Sequence, residues 1–180
     1  MKFFNILPLA VMLCLGLAFV GCSANSNQKE NTAEQSGATG SSSFEYEANP
    51  SWYQDAITDV DSIYYLKGEE HRGSNPMFIV IGDIPAEGDY GTAEKQRAFL
   101  KTDNFDSEEG LILGSVEEST LGEYGCVTGE YIDAGGNHCK TMVFFTGPNE
   151  YAMLQYVASS DEYETYISDI DAVFDSVKLL

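Results

Sequence analysis

The stretch YGCVTGEYIDAGGNHCKTMVFFTGPNEYAMLQYVA, residues 124–158, decides how this sequence folds. It contains three runs rich in valine, phenylalanine and tyrosine, and the turn sequences DAGGN (133–137) and GPN (147–149) separate them. Strand-forming runs joined by such short, glycine-containing turns are typical of antiparallel hairpins. The stretch therefore predicts a three-stranded antiparallel meander whose first hairpin turns at Gly135 and Gly136.

The last segment, SSDEYETYISDIDAVFDSVKLL (159–180), has the periodicity of a helix. Ser159 and Glu162 have the spacing of a capping box at its start. Because an amphipathic helix must bury its apolar stripe, and the meander offers the surface, the sequence predicts an α+β fold, with an antiparallel β-sheet packed against a C-terminal amphipathic helix. The residues of the stripe are Tyr163, Tyr166, Ile167, Ile170, Val173, Phe174 and Val177.

The segments before the meander add a second helix and further strands. Residues 92–103 predict the helix, which Thr92 is placed to cap. The region 52–67 is ambiguous, because its apolar residues have helical spacing whereas Ile63 and Tyr65 alternate as in a strand. Alternation at Phe44 and Tyr46 predicts a short first strand at 44–46, and the β-branched and aromatic residues of 76–84 predict a second. A further strand is predicted at 111–116.

The N-terminal residues read as an export signal. The uncharged apolar run 6–20 has the length of a signal-peptide core and is too short to span a membrane. It ends in FVGC (19–22), which resembles the lipobox of bacterial lipoproteins, where the cysteine receives a diacylglyceryl group and the chain is cut before it. We therefore expect a signal peptide at 1–21 and a lipid on Cys22. An ordinary secretory peptide with an incidental cysteine is the alternative.

Residues 23–43 are polar and small, with alanine as their only aliphatic type, so they cannot bury enough surface to offset the entropy of ordering. We expect 22–43 to be the lipidated cysteine and a flexible linker, and 44–180 to be one globular domain. The formal charge of −20 at pH 7 argues against charge-driven binding to nucleic acid or to an anionic membrane. The lipid must then provide the attachment.

The order of these segments resembles the PsbP-like fold of small bacterial lipoproteins. The resemblance is carried by FEYEANPSW (44–52), the aromatic pair Tyr64 and Tyr65, the strand FIVIGDI (78–84), the meander and the terminal FDSVKL (174–179). It implies a strand near 61–67 in place of the helical alternative. It also implies a non-enzymatic module that binds a partner or serves as an accessory in the cell envelope.

Two cysteines remain in the domain, because Cys14 leaves with the signal peptide and Cys22 takes the lipid. An even pair, Cys126 and Cys139, favours a disulfide in an exported protein. A hairpin turning at Gly135 and Gly136 would place Cys126 opposite Phe145 and the two thiols about 20 Å apart along the strands, far beyond the roughly 7 Å between Cα atoms that a bridge allows. A disulfide and two buried free thiols both stay open.

No metal site or cofactor is predicted. His138 beside Cys139, with His71 or Cys126 as further ligands, lacks the paired spacing typical of zinc sites. Two acid-rich stretches would suit calcium by their oxygen ligands but lack the EF-hand spacing. They are DAITDVDS (55–62) and TDNFDSEEG (102–110).

The sequence contains no nucleophile elbow and no phosphate-binding glycine loop. Cys126 and His138 could form a catalytic thiol and its base. The interpretation of Cys126 as a core residue of a strand is the stronger one. Tyrosines near loops offer a groove for a sugar or a peptide as a further alternative, since each presents an apolar face and a polar tip. They are Tyr53, Tyr90, Tyr124, Tyr131 and Tyr151.

We therefore expect a lipid-anchored module on the extracytoplasmic face of the cell membrane that is not an enzyme and that binds or assists an envelope protein. Two alternatives come from other classes. One is a solute- or cation-binding lipoprotein, and the other is a thiol or metal-dependent enzyme, which would need an exposed thiol with a depressed pKa.

Overall fold

A large antiparallel sheet forms the centre of the computed structural model, which describes residues 39–40, 43–58, 61–105 and 111–180. The expected signal peptide at 1–21, Cys22 and most of the linker lie outside these residues. Within them, no helix is long and apolar enough to cross a membrane. The strands are β1 (Thr39–Gly40), β2 (Phe44–Tyr46), β3 (Tyr53–Ala56), β4 (Ser62–Tyr65), β5 (Met77–Pro85), β6 (Leu111–Leu121), β7 (Tyr124–Ile132), β8 (His138–Gly147), β9 (Glu150–Ala158) and β10 (Lys178–Leu179).

Seven of these strands form the large sheet, in the order β3-β4-β5-β9-β8-β7-β6. Every neighbouring pair is antiparallel. The predicted meander is β7-β8-β9, and the strands predicted at 76–84 and 111–116 are β5 and the first part of β6. A small sheet has the order β1-β2-β10. The predicted α+β class is confirmed.

In the described part of the chain, helices α1 (Ala93–Phe105) and α2 (Tyr163–Ser176) pack on opposite sides of the large sheet. On the α2 side, the helix and the small sheet cover one continuous core, which includes Trp52, Phe78, Phe144, Tyr156 and Phe174. On the α1 side, a second core includes Leu100, Phe105, Val127, Val143 and Phe145. Strand β8 therefore contributes Phe144 and Phe145, both fully buried, to opposite cores.

Two glycines allow α1 to lie close to β7. A Cβ atom on Gly125 would be 2.8 Å from the carbonyl oxygen of Ala93 and from Cβ of Gln96, and one on Gly129 would be 2.6 Å from the Phe105 ring. The buried side chain of Gln96 fixes the approach, because its Oε1 accepts a hydrogen bond of 2.7 Å from the Gly125 amide.

The region 52–67, where helical spacing competes with alternation, forms the hairpin β3-β4. Ile63 lies opposite Ile79 of β5 and Tyr64 lies opposite Phe78. Tyr64 is buried in the α2-side core, so pairing with β5 overrides the helical spacing. The strand near 61–67 that the resemblance implies is confirmed.

The first hairpin of the meander differs by one residue from the predicted turn. Its loop has three residues, 134–136, because Asp133 N donates to Asn137 O (2.9 Å) and Gly136 adopts φ 82°. The Asp133 carboxylate also accepts hydrogen bonds from the amides of Gly135 and Asn137. A three-residue loop with glycine in the left-handed conformation replaces the two-residue turn. Cys126 consequently lies opposite Phe144, not Phe145.

The predicted capping box of α2 does not form. The Ser159 hydroxyl bonds to the Glu162 carboxylate at 2.9 Å instead of to a backbone amide, and the Glu162 side chain also pairs with Lys67. Glu162 itself occupies the N-cap position without a side-chain cap. The Glu162 carboxylate is thus bound by Ser159 and Lys67.

We expect Gly125→Ala to lower the free energy of unfolding by about 1–3 kcal/mol, because the new methyl group overlaps α1. Gly147→Ala is the matched control, since a Cβ there has no neighbour within 4 Å. Urea unfolding of the two variants measures the difference. Equal stabilities for both variants would contradict the close packing of α1 on β7.

Candidate functional site

In the part of the chain that the structure describes, α1 covers only part of the width of the α1 side of the large sheet. α1 packs against β6, β7 and β8. Strands β5, β4 and β3 lie at the other end of the sheet, with β9 between them and β8. This end therefore lies beyond the helix.

Strand register identifies the side chains on that uncovered part. Tyr64, Phe78 and Leu154 point into the α2-side core, so the residues next to them in sequence point to the α1 side. Cross-strand pairs place them side by side, as Ile63 with Ile79 and Ile81 with Met153. We call this surface the open face, and it consists of Tyr53, Ile63, Met77, Ile79, Ile81, Met153 and Gln155. All seven are half-buried.

Ring and polar contacts define two borders of the open face. At the sheet edge, Tyr53 stacks on Tyr65 with ring centroids 6.4 Å apart, and an Arg72 guanidinium nitrogen lies 2.7 Å from Asp55 Oδ2. Towards α1, Gln155 Nε2 donates a 2.5 Å hydrogen bond to the Tyr131 hydroxyl. The open face thus has an apolar centre within a partly polar border.

The structure does not bring the five candidate tyrosines into one groove. Tyr53 lies on the open face, whereas Tyr90, Tyr124, Tyr131 and Tyr151 pack in or against the α1-side core. Burial, followed by the charge of Asp103, raises the pKa of Tyr151 well above its usual range. Four of these tyrosines therefore serve mainly as packing residues.

The two domain cysteines are free and buried. Cys126 belongs to the α2-side core, whereas Cys139 lies opposite Tyr131, whose ring meets Phe105 of α1. The two thiols therefore lie on opposite faces of the sheet, and the disulfide that the even cysteine count favours is not formed. Burial raises the pKa of Cys126, and burial followed by the charge of Asp133 raises the pKa of Cys139 to about 12. Neither thiol has the exposed, acidic character of a nucleophile.

The two histidines lie in unrelated surroundings. His71 is on an exposed 3-10 turn between β4 and β5, with Nε2 3.9 Å from Glu70. The His138 ring stacks on Tyr163 of α2, with centroids 3.3 Å apart, and its Nε2 lies 3.5 Å from Glu130. Among the described residues, no group of three or more histidine, cysteine, aspartate or glutamate side chains is arranged to hold a metal ion.

A charged network that sequence reasoning missed lies next to His138. Lys140 Nζ lies 2.6 Å from Asp171 of α2 and 3.5 Å from Glu130 of β7. Burial opposes the charge of Lys140, but Asp171 and Glu130 outweigh it and raise its pKa. The network joins α2 to the meander. Asp171 is far from Glu130 and Lys140 in the sequence, so no local sequence pattern predicts their contact.

A shallow depression of about 270 Å³ lies beside this network, where the β6-β7 register shifts between Leu113 and Glu117. Its lining is mainly polar, and Lys140, its cation, is already paired with Asp171. It offers a ligand less apolar contact than the open face does. The lining residues are Leu113, Ser115, Glu117, Thr128, Gly129, Glu130 and Lys140.

Acidic residues in the described parts of the two acid-rich stretches accept hydrogen bonds from other groups of the protein. Asp61 Oδ1 accepts a hydrogen bond from the Gly82 amide at 3.1 Å, and its Oδ2 accepts one from the Thr58 hydroxyl at 3.0 Å. Asp103 Oδ2 accepts one from the Tyr151 hydroxyl at 3.3 Å. Residues 59–60 and 106–110 lie outside the described residues.

Comparison with solved structures identifies the same architecture in two other proteins. The solution structure of cyanobacterial PsbP (CyanoP) from Synechocystis has a TM-score of 0.55 and 18% sequence identity, covering 86% of this chain and 98% of that one. The crystal structure of LpqN, involved in cell envelope biogenesis of Mycobacterium tuberculosis, has a TM-score of 0.52 and 12% identity, covering 76% of this chain and 82% of that one. The PsbP-like fold is confirmed.

At these identities the likeness concerns the fold alone. No protein-family model and no curated protein sequence matches the chain. The function therefore depends on the side chains that this chain places on the fold.

We expect Cys126 and Cys139 to resist alkylation in the native protein at pH 8, because both thiols are buried and their pKa values are raised. In urea both should react rapidly with iodoacetamide. Peptide mapping after timed labelling measures the two rates separately. Rapid native labelling of either residue would contradict its burial and would favour the thiol-enzyme alternative.

Proposed function

We propose that this protein is a non-enzymatic accessory module of the cell envelope, held on the extracytoplasmic face of the membrane by a lipid on Cys22, and that it binds a protein partner through the open face. The open face carries the proposal. It is a set of neighbouring, mainly apolar side chains that the described helices leave half-buried.

The open face is suited to partner binding because its apolar atoms are already arranged. Ile63, Ile79, Ile81, Met77 and Met153 lie on paired strands, so covering them requires little ordering of the chain. Covering apolar surface contributes about 25 cal/mol per Å². The two methionines are flexible enough to fit an irregular partner surface.

The expected linker lets the domain extend away from the membrane surface. A flexible linker of about 20 residues spans roughly 25 Å root-mean-square, so the domain would stand clear of the lipid headgroups. A lipid anchor also raises the local concentration of the domain near envelope proteins, and that favours contacts of modest affinity. The role of LpqN in cell envelope biogenesis is a property of that protein and supports an envelope role here only by analogy.

Site-specific photo-cross-linking in intact cells tests this proposal. Benzoylphenylalanine placed at Ile79 should form an adduct with one dominant envelope protein. The matched control is the same residue at Thr120, which is exposed on β6 at the opposite end of the sheet. The control should give no such adduct.

The anchor is tested in the same cells with Cys22→Ser. This variant should lose labelling by palmitate analogues and should lose most of the Ile79 adduct, because the domain is no longer held at the membrane. Equal adducts from Ile79 and Thr120, or none from Ile79, would contradict partner binding through the open face.

A further inference from the structure

Carboxylates border the open face on the side of β3 and β4. Asp55 lies directly opposite Ile63, so both side chains point to the α1 side of the sheet. Asp61 precedes β4 and approaches β5, where its Oδ1 accepts a hydrogen bond from the Gly82 amide at 3.1 Å. These two acidic groups border the edge and one end of the apolar centre.

Two more carboxylates border the side towards α1 and the β7-β8 hairpin. Asp103 of α1 contacts the hydroxyl of Tyr151, the residue two positions before Met153. Asp133 Oδ2 lies 4.0 Å from the sulfur of Cys139, which is paired with Val157 of β9. We call Asp55, Asp61, Asp103 and Asp133 the acidic border.

Arg72 is the cation that contacts this border in the described part of the chain, and it is paired with Asp55. The border therefore has an excess of negative charge around an apolar centre. The whole sequence, with a formal charge of −20, adds to this field. A partner with positive charge around an apolar surface would gain from both features, because complementary potentials favour docking and its rate.

From this arrangement we infer that the partner presents an apolar ridge flanked by lysine or arginine side chains, the ridge covering the open face and the cations facing the acidic border. The inference rests on the proposed function and specifies its partner. A second copy of this chain is disfavoured, since a two-fold interface through the open face would bring like-charged borders together.

A salt series on the Ile79 cross-link tests the charge of the partner. Raising the ionic strength of isolated envelopes from about 0.05 M to about 0.5 M shortens the screening length from roughly 14 Å to roughly 4 Å. The adduct yield should fall about threefold or more, as expected for docking assisted by opposite charges. This measurement leaves the border residues unchanged and so does not depend on any variant folding.

Neutralising carboxylates of the acidic border then tests whether they cause the salt dependence of the adduct yield. Asp55→Asn combined with Asp103→Asn keeps the side-chain shapes and should lower the low-salt adduct yield to a similar extent. Glu94→Gln combined with Glu164→Gln is the matched control, because both residues are exposed on the helices and away from the border contacts. This control should keep the yield of the parent protein.

The outcomes separate the two proposals. Absence of any Ile79 adduct at low salt overturns the proposed function itself. An adduct yield that changes neither with salt nor in the border variants overturns the inference but leaves partner binding in place. So does an adduct yield that the control pair lowers as much as the border variants do. An adduct formed with a second copy of the chain also overturns it.

Discussion

The close approach of α1 to β7 determines how the α1 side of the sheet is divided. Gly125 and Gly129 provide the space, and the hydrogen bond from the Gly125 amide to Gln96 fixes the helix there. A helix held at β7 buries Val127, Val143 and Phe145 and does not extend over β3, β4 and β5. The position of the open face follows from this one packing contact.

Much of the architecture is encoded in local sequence patterns. The meander, α1 and α2 are predictable because turn residues separate strand-forming runs and because apolar residues recur at helical spacing. The hairpin register is harder to predict. The sequence DAGGN (133–137) is compatible with both a two-residue and a three-residue loop. The backbone hydrogen bond from Asp133 N to Asn137 O closes the longer one. That choice moves Cys126 opposite Phe144.

The open face was not predictable from the sequence. β5 is apolar on both sides, which usually indicates a central strand covered on both faces. Burial on the α2 side is complete, with Phe78 at 0% and Val80 at 1% exposure, whereas Ile79 and Ile81 remain half-buried. The position of α1, which is set by contacts with the distant strand β7, shows which part of the sheet this helix leaves uncovered. The acidic border likewise combines residues from four separate segments.

Partner binding through the open face means that this surface is covered in the envelope. Hydroxyl-radical footprinting of the methionines measures this cover, because Met77 and Met153 lie on the open face, whereas Met142 is buried in the α2-side core and serves as an internal control. We expect Met77 and Met153 to oxidise several-fold more slowly in intact envelopes than in the purified full-length protein, while Met142 stays slow in both. Equal oxidation of Met77 and Met153 in the two preparations would contradict it.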